Sequence, residues 1–110
     1  MRPTPTAIGY IHRDISGSSQ AWDTAQIRKL AKRLGYDIAE IVLLDSTATH
    51  IVAALREVVR ETDAEAVIMP NLAHLDNQPD ALVRVCDVIT VNPIETYDRH
   101  SLPPIRMRAE

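Results

Sequence analysis

A chain of 110 residues with a net charge of −3, 45% hydrophobic and 25% charged, has the size and composition of one folded domain. Its single cysteine excludes an internal disulfide framework and any cysteine-rich zinc module, and suits a reducing cytosol. No apolar run approaches the roughly 20 residues of a membrane span, nothing reads as a secretory signal, and the acidic balance argues against generic attraction to nucleic acid.

In chain order, residues 7–11 form a continuous apolar run, as in a strand buried on both faces. Residues 12–20 follow as a polar loop with one Gly and three Ser. A helix is predicted over 22–34: Ile27, Leu30, Ala31 and Leu34 recur at helical spacing, and Arg28, Lys29, Lys32 and Arg33 take the other side. Gly35 stands at its C-cap, and Trp22 reads as a packing anchor. The second strand is expected over 38–44. Asp45, Ser46 and Thr47 then offer caps for a helix over 49–61, with Ile51, Leu55, Val58 and Val59 on one face. Residues 66–69 form the third strand, closed by Pro70, and 71–78 a loop or short helical turn. Pro79 opens a short helix carrying Leu82, Val83 and Val85, and 88–91 form the fourth strand. Beyond Pro93 there is no periodicity, and Pro103-Pro104 stops any helix. The expected organisation is a domain over 1–92 with an irregular tail over 93–110.

Strands alternating with helices imply right-handed crossovers and a parallel sheet. The architecture expected is a small doubly wound, flavodoxin-like α/β domain with a mostly parallel, four-stranded sheet. In such sheets ligands bind beyond the carboxyl ends of the strands, where the strand order reverses. That directs attention to the loops 12–20, 45–49 and 70–78. In the first, Arg13, Ser18 and Ser19 beside a helix N-terminus suit a phosphate; equally, Ser18 or Ser19 caps the helix. There is no Gly-x-Gly-x-x-Gly and no Walker pattern, so no nucleotide fold is indicated. A phosphoacceptor receiver domain is excluded because its third strand would end on Asp, where this chain has Met69-Pro70-Asn71. His12, His50, His74 and His100 lack the spacing of a metal site and read as solvated loop histidines, so neither metal nor cofactor is expected. Cys86, among Val83, Val85 and Val88, reads as a buried, inert thiol.

Gly9-Tyr10 closing the first strand, Asp23-Thr24-Ala25-Gln26-Ile27 opening the first long helix, and Asp63-Ala64-Glu65-Ala66-Val67-Ile68-Met69 running into Leu72-Ala73-His74-Leu75 form one pattern. Over about residues 7–91 it resembles the catalytic domain of the serine recombinases, the resolvase and invertase family. The resemblance implies a resolvase-like fold in which a serine hydroxyl attacks a DNA phosphodiester and arginines meet the phosphoryl charge. The family's Tyr-x-Arg-x-Ser would place Arg and Ser at positions 12 and 14, which hold His12 and Asp14. A shifted register offers Arg13 as the phosphate contact and Ser16 as the nucleophile, with the spacing one residue longer. The family's Leu-Asp-Arg-Leu-x-Arg falls on 72–77, where the acid is Ala73 and the arginines are His74 and Asn77.

The resemblance therefore implies a stand-alone resolvase-like domain that has lost the reaction. It is expected to act as an interaction or regulatory module, with a protein partner or a second copy, in the cytoplasm and away from membranes. The chain stops before the family's long helix and helix-turn-helix, and its charge does not support DNA binding. Two alternatives stand beside this: a minimal serine recombinase cutting and rejoining DNA through Ser16, and a phosphate- or nucleotide-binding module built on the 12–20 loop.

Overall fold

The structure, a computed structural model, describes residues 4–98. At its centre is strand β1 (Thr6–His12), flanked in parallel by β2 (Asp37–Leu44) and β3 (Ala66–Met69). Parallel β4 (Asp87–Thr90) and antiparallel β5 (Glu95–Tyr97) complete a five-stranded, mostly parallel sheet in the order β2-β1-β3-β4-β5. Between β1 and β2 run a single helical turn, α1 (Arg13–Ser16), a 3₁₀ turn (Gly17–Ser19) and α2 (Gln20–Leu34). Helix α3 (Ile51–Thr62) joins β2 to β3. A 3₁₀ turn (Leu72–Leu75) and α4 (Asp80–Val83) join β3 to β4.

Strand residues alternate between two cores, as the two-residue period of a strand dictates. Ala7 and Ile11 of β1, Ala66 and Ile68 of β3 and Ile89 of β4 meet Ile27, Leu30 and Ala31 of α2. Ile8 and Tyr10, Val67 and Met69, and Val88 point to the other side, against Leu55 and Val59 of α3 and Leu82 and Val83 of α4. Helices thus cover both faces, which is why β1 and β3 read as unbroken apolar runs. Gly9 of β1 is required by a close approach. A Cβ there would lie 2.5 Å from Ile41 Cδ1 and 3.1 Å from Ile27 Cγ2. At the C-cap of α2, Gly35 has φ 86°, the left-handed conformation that releases the chain into β2.

Several expectations change. The sheet has five strands rather than four, because Glu95–Tyr97 pairs with β4 inside the stretch read as irregular. Three residues are too few to show alternation, and pairing beside a formed β4 supplies the order that local pattern lacks. Residues 99–110, with Pro103, Pro104 and His100, lie outside those described. Strand β2 is not buried on both faces; as an edge strand with one neighbour it leaves Leu43 exposed. The stretch 12–20 is not a loop: His12 ends β1, residues 13–19 form helical turns, and α2 begins at Gln20. Trp22, read as a packing anchor, is 66% exposed, because the buried stripe of α2 is carried by Ile27, Leu30 and Ala31. Helix α3 starts at Ile51 behind His50, and no side chain caps it. Among the described residues no helix is long and apolar enough to cross a membrane.

Candidate functional site

The sheet order makes β1 and β3 the pair at which the chain turns away in opposite directions, to α2 on one face and to α4 on the other. A crevice opens at such a switch point. Here it is built around two histidines. The backbone N–H of His12, the last residue of β1, donates to His74 Nδ1 at 2.9 Å. Below it the Tyr10 hydroxyl donates to the His74 carbonyl at 2.8 Å, and the two rings meet edge to face, 6.4 Å apart. His74 is only 2% exposed, so it is not the solvated loop histidine the sequence suggested. Leu72 and Leu75 on either side pack into the core and draw the 3₁₀ turn down onto β1.

These contacts set the chemistry. Because Nδ1 of His74 accepts a hydrogen bond, the neutral ring carries its proton on Nε2. Burial lowers the His74 pKa, opposed by the Asp23 carboxylate and reinforced by His12, so the ring stays neutral near pH 7. Burial likewise pushes the Tyr10 phenol up to about 12, keeping it a donor. His12 Nδ1 is buried and has no partner among the described residues.

Above the histidines lies a cleft of about 680 Å³ between α3 and the β3–α4 connection. His12 and His74 form its floor-side polar groups, Ser46 and Thr49 add hydroxyls, and Asp80 and Arg84 supply opposite charges. Asp76, at its lip, and Asn77 both adopt the left-handed conformation, with φ 55° at each. That conformation is costly for residues other than glycine and is least so for Asn and Asp.

The four residues singled out in the sequence are dispersed. Ser16 is 8% exposed and its hydroxyl donates to the carboxylate of Asp23, one turn into α2. Arg13 is exposed on α1, and no hydrogen bond or ion pair joins it to Ser16 among the described residues. Its guanidinium instead helps to hold the Asp45 carboxyl below the ordinary range, behind the larger effect of the Thr47 hydroxyl and amide. Ser18 and Ser19 are exposed on the 3₁₀ turn, and neither caps a helix through its side chain. The Gly17 and Gln20 amides are already bonded to the Arg13 and Gly17 carbonyls. Asp14, in the position the family pattern reserves for serine, accepts from the backbone amide of Ser46 at 2.9 Å and from its hydroxyl. These bonds lower the Asp14 pKa and tie α1 to the β2–α3 connection. Cys86 is fully buried, as expected.

Sequence reasoning missed His74 as a buried partner of β1, Asp23 as the acceptor for Ser16, and Arg84 and Asp80 as cleft residues. The two leucines spaced around His74 were the signal for the first. Asp23 carried a hint in its place at the start of a helix, where a carboxylate is favoured. Nothing local marks Arg84. Among the described residues no group of three or more His, Cys, Asp or Glu could hold a metal. Compared with models of protein families, with curated proteins and with solved structures, the chain matches none.

Proposed function

We propose that this chain is a domain of flavodoxin-like, resolvase-like type that binds rather than cuts, working as an interaction or regulatory module. The observation that carries this reading is the Ser16–Asp23 hydrogen bond. A hydroxyl that attacks a phosphodiester needs cationic donors where the phosphoryl charge develops. Here its nearest polar partner is a carboxylate, which repels that charge, and Arg13 stands apart on the surface. Loss of the guanidinium at 74 in favour of a buried neutral imidazole supports the same reading. The binding element is the switch-point cleft, whose mixture of imidazole, hydroxyl and charged groups suits a polar ligand or a polar segment of a partner.

The test is a strand-cleavage assay on nicked and suicide DNA substrates, with an active serine recombinase as control. No protein–DNA adduct is expected. An adduct that disappears in Ser16→Ala would overturn the reading and establish the minimal recombinase in its place.

A further inference from the structure

Helix α2 carries Arg28, Lys29, Lys32 and Arg33 and the single carboxylate Asp23, in a chain whose net charge is −3. All four cations are exposed, and none is ion-paired among the described residues. Positive charge is therefore concentrated on one helix of an otherwise acidic molecule. At the other end of the same helix stands Trp22, 66% exposed, the only tryptophan in the chain.

Helical geometry lines these groups up. At 100° per residue, Trp22, Lys29 and Arg33 fall within an arc of about 40° on the solvent side, and Lys32 lies about 60° further round. Along the axis, Lys29 stands about 10 Å from Trp22 and Arg33 about 6 Å beyond that, at 1.5 Å per residue. The stripe thus begins with a flat aromatic surface and continues as a row of cations.

A second, separate observation lies beside the indole. Trp22 borders a small notch of about 100 Å³ at the carboxyl ends of β3 and β4, lined also by Asp23, Gln26, Asn71 and Asn92. The side chains of Gln26 and Asn92 have no hydrogen-bond partner among the described residues. Asn71 uses its side-chain oxygen on the Ala73 amide and keeps its NH₂. Carboxamides next to an exposed aromatic face offer paired donors and acceptors, the groups that read the edge of a nucleobase. An acidic peptide would use the cations and leave the amides idle, and a lipid surface would use neither the amides nor the notch.

We propose that this face of α2 is a binding site for single-stranded nucleic acid. One base stacks on Trp22 with its edge toward Gln26, Asn71 and Asn92, and the following phosphates run along Lys29, Lys32 and Arg33. The site is on the opposite side of the sheet from the switch-point cleft and does not depend on the reading given above; it involves no strand cleavage.

The single tryptophan is its own reporter. Eight-residue oligo-dT and oligo-rU should quench Trp22 fluorescence at low salt, the two oligomers deciding between DNA and RNA. Three phosphate contacts predict log K falling against log salt with a slope of about −2. With fluorescein-labelled oligomers read by anisotropy, Trp22→Ala should weaken binding roughly 5- to 100-fold. Lys29→Glu with Arg33→Glu should abolish binding, and the exposed positions leave the circular dichroism of both variants unchanged. Equal or tighter binding of duplex DNA, equal quenching by poly-glutamate, no binding at low salt, or unaltered binding by the folded variants would each overturn the proposal.

Discussion

The amide of His12 and the imidazole of His74 are joined by a 2.9 Å hydrogen bond that locks the end of the central strand to the connection after β3. Because the ring is buried and its pKa lowered, this contact is linked to pH. The unfolded chain takes up a proton on this histidine near its ordinary value of about 6.5, whereas the folded protein resists until lower pH. Stability from this group is therefore complete above that value and declines as pH falls toward the folded pKa. Urea unfolding of the native chain should show a loss of stability between pH 7 and 5.5 that is smaller in His74→Ala. At pH 7.5 the same variant should lose about 2–4 kcal/mol, from the cavity and from the stranded His12 amide.

Ser16→Ala separates a structural hydroxyl from a chemical one. The bond to the Asp23 carboxylate is charge-assisted and partly buried, so its removal should cost about 1–3 kcal/mol in denaturant unfolding. A variant as stable as the native chain would remove the structural role assigned to this serine.

The link between Asp14 and Ser46 should be visible without any change in global stability. Followed by NMR, the Ser46 amide should shift with a midpoint below the ordinary aspartate range, because the hydroxyl and amide of Ser46 both favour the ionised carboxylate. In Asp14→Ala that titration should vanish, and hydrogen exchange at Ser46 should quicken.

Gly9→Ala is expected to destabilise the protein by about 1–3 kcal/mol, since the new methyl would overlap Ile41 Cδ1. Ile41→Val deletes that atom. In the double variant the Gly9→Ala cost should fall to less than half, measured as a double-mutant cycle.

The elements that the sequence showed clearly are those whose order is local. The apolar runs of β1 and β3 and the face of α3 appear within a residue or two of the expected places, and Gly35 ends α2 as read. What escaped was decided by neighbours distant in the chain. Strand β5 pairs along the edge that β4 offers, and β2 is half-exposed because, among the described residues, no strand pairs with its outer side. Residues 13–19 look like a serine-rich loop, yet they coil because Asp14 is held by Ser46 and Ser16 by Asp23. The candidate site was legible as a location, the switch point, and much less as a set of residues. His74 reaches the cleft from the turn before α4 and Arg84 from the end of α4, both through the crossover from β3 to β4.

The contacts that build this site join residues far apart in the chain: 64 residues separate Tyr10 from His74, 62 separate His12 from His74, and 32 separate Asp14 from Ser46. Closing such loops is entropically costly and is rewarded only after the strands between them have assembled. The histidine pair is therefore a late arrival in folding. The face of α2 is no earlier, since Asn71 and Asn92 reach Trp22 only from the ends of β3 and β4; both sites wait on the same assembled sheet.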